Sequence, residues 1–221
     1  MGLNRFYTYN GQILKTAEGN PIGYESFPWP SDKLYARWTF SNTLVDTISG
    51  VTFANTGASS YNLTDGPGGS ARIYLSDNYL YAPFVYNGDL SISVWHKCNT
   101  ADYSTRDHFG LGGFKARLRI DLAKILINAT QIDYDAASGW RHNVVTYSVT
   151  TGDIKVYRDS VLKGTVSGAT DLLAGMTVFY LNAREASTSY AKNSSYGFTY
   201  LYKKVLTQAE VTQLYNSGNG I

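Results

Sequence analysis

The stretch Phe198-Thr199-Tyr200-Leu201-Tyr202-Lys203-Lys204-Val205-Leu206-Thr207-Gln208-Ala209-Glu210-Val211-Thr212-Gln213-Leu214-Tyr215 decides the fold. Phe198–Val205 is an aromatic strand pattern that runs straight into a short helix, Thr207–Tyr215. Thr207 is placed to cap that helix and Glu210, three residues on, to close a capping box; Leu206 and Val211 stand where a hydrophobic staple puts them. Val211, Leu214 and Tyr215 give one apolar stripe at i, i+3, i+4, and Gly218 is the expected stop.

Working outward, the rest of the chain reads as strands. The clearest runs are Leu34–Phe40, Ala71–Leu75, Tyr79–Val85, Leu90–Lys97, Ala116–Leu122, Lys124–Ile127, Asn143–Ser148, Asp153–Arg158 and Met176–Leu181, separated by Gly, Asn, Asp and Ser clusters. In one of them Leu90, Ile92, Val94 and His96 alternate with Ser91, Ser93, Trp95 and Lys97, so one face is aliphatic and the other carries Trp95 among polar residues. Many strands and one short helix predict an all-β sandwich of two packed antiparallel sheets. Residues 1–30 are different: Asn10-Gly11, Gly19-Asn20-Pro21 and Pro28-Trp29-Pro30 interrupt them, and Tyr7 and Tyr9 with Ile13 across Asn10-Gly11 predict one small hairpin. The expected organisation is an N-terminal docking arm over 1–30, with Phe6, Tyr7, Ile13 and Trp29 as its assembly contacts, and one domain over 31–221.

Composition narrows the partners. The 221 residues carry 43% hydrophobic and only 16% charged residues, with a formal net charge of +2. A sizeable core is affordable, and no basic track exists of the kind that nucleic-acid backbones require, so nucleic acid is not an expected partner. The N-terminus lacks the apolar core of a secretory signal, no stretch reaches the length of a membrane span, and Cys98 is the sole cysteine. Synthesis in a cytoplasm follows as an expectation. Tyrosine is the outlier, with 19 copies against 9 Phe and 4 Trp. Its ring suits half-buried strands and recognition surfaces alike.

Three ordered stretches resemble the laminin-G-like jelly roll of the concanavalin A-like lectin and glucanase superfamily. They are Leu90–Lys97, ending on Trp95; Trp140-Arg141-His142-Asn143-Val144-Val145-Thr146-Tyr147 with the following Gly152–Ser160 hairpin; and Gly197–Tyr215 with its closing helix. Leu34–Phe40 with Asp46 and Ser49-Gly50 is similar to the family's opening strand and turn. The resemblance covers residues 31–217; Ser160 stands where the family usually has a turn glycine, and residues 1–30 match nothing in the pattern. It implies a jelly-roll sandwich of two curved sheets, a fold that binds carbohydrate in many members and only joins proteins in others.

Glucanase-like members carry carboxylates at alternate positions of one strand, as glycoside hydrolysis requires. Here Glu18, Glu25, Glu185 and Glu210 are the only glutamates and stand far apart, while Asp133 and Asp135 read as a strand end. The three histidines, His96, His108 and His142, form no nucleophile or metal spacing, and His142 reads as a core or edge residue. No enzyme activity is expected. Relatives that bind calcium do so through acidic loops; Asp77 and Asn78, or Asp102 and Asp107, are the candidates for such ligation, and no other cofactor is expected. For a sugar, the long loops Asn99–Gly113 and Asn182–Tyr196 offer aromatic and polar groups: Tyr103, Arg106, Asp107 and His108 from the first, Asn182, Arg184, Tyr190 and Tyr196 from the second. The same loops would equally pack against a neighbouring subunit. The expected function is non-catalytic glycan recognition on a larger assembly, in a homo-oligomer. A lectin-type domain without a secretion signal or disulfide fits a phage virion component (tail-fibre, head-fibre or decoration protein) made in the host cytoplasm. The alternative is a purely structural virion subunit.

Overall fold

The computed structural model describes residues 8–9, 12–13, 30, 32–98, 106–111, 116–121, 124–127, 130–133, 139–169, 172–183, 186 and 193–220. The strands are, in chain order, β1 (Thr8–Tyr9), β2 (Gln12–Ile13), β3 (Leu34–Trp38), β4 (Ala54–Asn55), β5 (Ser59–Asn62), β6 (Arg72–Leu75), β7 (Leu80–Pro83), β8 (Leu90–Cys98) and β9 (Arg106–Leu111). They continue with β10 (Ala116–Asp121), β11 (Lys124–Ile127), β12 (Thr130–Asp133), β13 (Arg141–Tyr147), β14 (Ile154–Arg158), β15 (Val161–Val166), β16 (Val178–Leu181) and β17 (Ser194–Tyr202), and the helix α1 (Gln208–Tyr215) closes the fold.

Two large sheets form, both antiparallel. Sheet I has seven strands in the order β12-β11-β10-β9-β16-β7-β4. Sheet II has eight, in the order β15-β14-β13-β8-β17-β6-β5, with β3 also pairing β17. This is the expected all-β sandwich with one short C-terminal helix among the described residues. The Tyr9–Gln12 hairpin is present as well: Thr8 pairs with Ile13 and Tyr9 with Gln12, in a two-stranded sheet shared with neither large one. Phe6, Tyr7 and Trp29 lie outside the described residues.

Between the sheets, an aromatic cluster anchors the core. Phe179 of sheet I is fully buried, with its ring 6.2 Å from Trp38 of sheet II, 5.8 Å from Phe53 and 6.4 Å from Phe109. Leu90, Ile92 and Val94 join this core, as their alternation requires.

The other face of β8 departs from expectation. Ser91, Ser93 and Trp95 are as buried as the aliphatic face, because the C-terminal segment folds over the outside of sheet II. A second cluster results, in which Leu206, Val211 and Leu214 pack on Val144, Tyr157, Tyr200 and Tyr202. Ser91 Oγ donates to Lys204 O at 2.7 Å and accepts Leu206 N–H at 2.9 Å, so this small residue ties the chain to the sheet. Burial pushes the Tyr200 phenol up to about 12 despite the nearby Arg37 charge. The capping box is formed: Thr207 Oγ1 accepts the Glu210 N–H and Glu210 Oε2 accepts the Thr207 N–H at 2.9 Å. The helix stops at Asn216 rather than at Gly218, because Asn216 itself takes the left-handed conformation, φ 46° and ψ 50°. Asparagine tolerates that region through its short polar side chain.

Beneath α1, Trp95, His142 and Tyr215 form a mutual cluster, with ring centroids 5.1 Å (Trp95–His142), 5.9 Å (Trp95–Tyr215) and 6.2 Å (His142–Tyr215) apart. His142 Nε2 sits 2.8 Å from Ser93 Oγ, and burial lowers its pKa from 6.5 to about 3. It is a core histidine.

Asp46 organises the turn after β3. Its carboxylate accepts the backbone N–H groups of Ile48 and Ser49 at 2.7 Å each and of Val51 at 2.5 Å, and the Ser49 hydroxyl at 2.8 Å. Asp46→Asn substitutes an amide N–H₂ for one acceptor oxygen and sets donor against donor. The expected loss is about 2 kcal/mol, within the range for a buried hydrogen bond to a charged group. Chemical denaturation of the variant checks it; a loss below about 0.5 kcal/mol would show that the turn holds without the carboxylate.

Candidate functional site

Along the inward face of sheet II the aliphatic stripe turns polar at one end. Arg141 is paired with His96 and His96 with Tyr196, and on the next rung Arg158 is paired with Asn143. Residues directly opposite one another share a face. His96, Asn143, Arg158 and Tyr196 are all at least nine-tenths buried, and the His96 and Tyr196 rings lie 5.3 Å apart. Hydrogen bonds carry this polar end across to sheet I. Tyr196 OH donates to Asn182 Oδ1 at 3.3 Å, Asn182 Nδ2 donates to Asn78 O at 2.7 Å, and Asn78 Nδ2 donates to Asn55 Oδ1 at 2.7 Å. Thr56 clamps the next residue: its hydroxyl accepts the Tyr79 N–H and donates to the Tyr79 carbonyl, both at 3.1 Å.

That clamp fixes the start of an aromatic surface. Leu80 and Ala82 face the core, so Tyr79 and Tyr81 face outward from sheet I, and Tyr180 stands opposite Tyr81 on β16. The three rings are 5.8 Å (Tyr79–Tyr180), 6.1 Å (Tyr79–Tyr81) and 6.4 Å (Tyr81–Tyr180) apart. Tyr79 and Tyr180 are buried to their edges, whereas Tyr81 is 38% exposed. A rigid tyrosine presented this way offers an apolar ring face at little conformational cost.

Against this geometry the sequence-based choices divide. Asn182 and Tyr196 are not on an exposed loop, because β17 begins at Ser194 and draws Tyr196 between β8 and β6. Both side chains are structural members of the hydrogen-bond chain. Arg106, Asp107 and His108 are in strand β9 rather than in a loop, in the half that extends past the Leu181–Phe109 pair and pairs onward with β10. They therefore lie at the same end of sheet I as Asn182. Tyr103, Arg184 and Tyr190 lie outside the described residues. Asp77 and Asn78 do not act as a pair: Asp77 is exposed at a φ of 49°, and Asn78 is buried with its amide nitrogen bonded to Asn55. Asn78 Oδ1 is buried and meets no donor among the described residues. The two offer a few oxygens at most where calcium takes six to eight, and no group of three His, Cys, Asp or Glu gathers among the described residues. The tyrosine surface was not among the choices made from sequence. Its signal was there in outline, an aromatic residue at the outward position of two strands whose inward positions are aliphatic.

No protein-family model matches this chain, and no curated protein sequence does. Solved structures do. Domain 4 of AbnA, a GH43 extracellular arabinanase from Geobacillus stearothermophilus, was solved in complex with arabinotriose. It superposes with a TM-score of 0.65 at 19% identity over 81% of this chain and 97% of that one. A botulinum neurotoxin type C structure, from work tying cell entry to two ganglioside molecules, gives 0.62 at 16% identity over 84% and 51%. The binding domain of botulinum neurotoxin DC in complex with SialylT gives 0.62 at 15% over 84% and 52%. The chain spans about half the length of those two neurotoxin structures. At these identities the likeness is one of fold, a sandwich of two antiparallel sheets.

Proposed function

We propose that this chain is a non-catalytic carbohydrate-recognition domain, a laminin-G-like jelly roll that meets its glycan at the polar end of the sandwich. The observation that carries this reading is the Tyr79–Tyr81–Tyr180 surface, held rigid from below and flanked by amide side chains. Ring faces take the apolar side of a sugar, and the neighbouring polar groups take its hydroxyls. The similar structures support it, since arabinotriose and gangliosides figure among the molecules their descriptions name. The described carboxylates detailed above serve structure: Asp46 holds a turn and Glu210 caps a helix. Residues 1–30 are read as the arm that displays the domain on a larger assembly, a phage virion being the reading that suits a chain of this kind. The separate sheet of β1 and β2 supports the arm. It also favours the second reading, a purely structural adaptor that binds protein alone.

A broad glycan array of the full chain, run with calcium and with chelator, separates the two. Specific binding is the expected result. Tyr81→Ala is expected to weaken that binding by about tenfold, near 1.4 kcal/mol, while moving the melting temperature little because Tyr81 is the exposed member of its cluster. Silence across the array, or full binding by Tyr81→Ala, would pass the surface to the structural reading.

A further inference from the structure

One tryptophan of this chain is left partly open. Trp38 and Trp95 are 1% exposed, whereas Trp140, just before β13, is half-buried. Its indole N–H donates to Asp65 O at 3.0 Å, and the Asp65 carboxylate accepts Arg72 Nε–H at 2.7 Å. We propose that Trp140, Asp65 and Arg72 form a second carbohydrate contact, which takes a pyranose by its C–H face and two adjacent hydroxyls. The proposal rests on the glycan reading and adds to it a site separate from the tyrosine surface.

Strand register puts this cluster on the opposite side of the sandwich from Tyr81. Ile73 and Leu75 of β6 are fully buried in the core between the sheets, so Arg72 and Tyr74, which alternate with them, face outward from sheet II. Ser195 is paired with Tyr74 and shares that face, and its Oγ accepts from Arg72 Nη1 at 3.0 Å. Arg141 is paired with His96, so Trp140 stands at the polar end of the sandwich. Both sheets separate the cluster from the tyrosines, and one sugar ring cannot touch both.

The groups are set before any ligand arrives. Asn62 Oδ1 accepts the N–H groups of Thr64 and Asp65 at 2.9 Å each, and Gly66 N–H donates to Ser70 O at 2.7 Å. Pro67 packs on β17 at Gly197, where a Cβ would meet its Cδ at 2.7 Å. The chemistry suits a sugar. With its N–H committed to the chain, Trp140 offers the face of an indole, a large flat surface for the apolar side of a pyranose. Beside it a carboxylate accepts and a guanidinium donates, which matches hydroxyls that each give one hydrogen bond and take another. Both reach solvent: the Asp65 side chain is 48% exposed and that of Arg72 19%. Arg72 commits Nε and Nη1 and keeps further N–H donors on its fork.

The test is an NMR titration of the nitrogen-labelled full chain with lactose, cellotriose and maltotriose, following the Trp140 indole N–H and the amides of Asp65, Arg72 and Tyr81. At least one sugar is expected to shift the Trp140, Asp65 and Arg72 signals together. Trp140→Ala and Asp65→Ala are each expected to weaken that response about tenfold, while Tyr81→Ala leaves it unchanged. Asp65→Ala keeps the backbone carbonyl that holds the indole, so it gives the answer even where Trp140→Ala does not fold. Shifts at Tyr81 with none at Trp140 would overturn the second contact and leave the tyrosine surface standing. A Trp140 response that disappears in Tyr81→Ala, or that Asp65→Ala does not touch, would overturn it as well. Silence at both places would also overturn it, and the glycan array then decides the wider reading by itself.

Discussion

Replacing Phe179 by alanine is expected to lower the unfolding free energy by about 3–5 kcal/mol, the range for deleting a large aromatic side chain from a packed core. Phe179 is among the residues through which sheet I packs on sheet II. Its ring touches the environment of Trp38, Phe53 and Phe109 together, and none of it is exposed. Three rings of fixed shape cannot collapse into the space it leaves, so the cavity contribution adds to the lost transfer free energy. Guanidinium denaturation of the variant provides the measurement. A loss under about 1 kcal/mol would show that the sheets are held together elsewhere.

The second large effect depends on pH. His142 is buried and its pKa falls from 6.5 to about 3, because burial disfavours the charged ring. Between those values the unfolded chain binds a proton that the folded chain does not. Stability contributed by the neutral ring is therefore complete above pH 6.5 and declines as pH falls toward 3. The slope is about 1.4 kcal/mol per pH unit, so about 2 kcal/mol is lost from pH 6.5 to pH 5, before most carboxylates titrate. Unfolding free energies of the wild type and of His142→Gln across this window isolate the term. The variant should show a profile flatter by that amount, whatever its absolute stability. Parallel profiles would mean that the imidazole is not desolvated as its packing against Trp95 implies.

Much of this architecture was legible because its signals are local. The capping box at Thr207 and Glu210 concerns four consecutive residues, and the alternation from Leu90 to His96 is a property of one strand. What escaped depends on partners distant in the chain. β9 reads Arg106-Asp107-His108-Phe109-Gly110-Leu111, with too little apolar content to announce a strand, and it is a strand because β10 and β16 flank it. β15 carries Gly164 in its middle, a breaker by composition; the structure gives the reason, since a Cβ there would meet Ile132 at about 3.0 Å. Tyr196 follows Asn193-Ser194-Ser195, a loop-like run, yet pairing on both sides buries it completely. Ser160 adopts φ 66°, a conformation that favours glycine, so the hairpin forms with a residue that its turn geometry would not select. The candidate site escaped for the same reason. Tyr81 and Tyr180 become neighbours only through the register of β7 with β16.

The position of β17 has a consequence for biogenesis. The last strand of the chain lies in the interior of sheet II, with β8 along one side and β6 and β3 end to end along the other. On a ribosome, those three earlier strands emerge with their mutual partner still unmade, and their edges stay open until Ser194–Tyr202 has been synthesised. The native hydrogen bonds of sheet II across this seam must therefore close late and over long sequence separations, which favours slow folding. A nascent chain halted before Ser194 would present the seam to other chains, making it a natural client for chaperones that shield exposed strand edges.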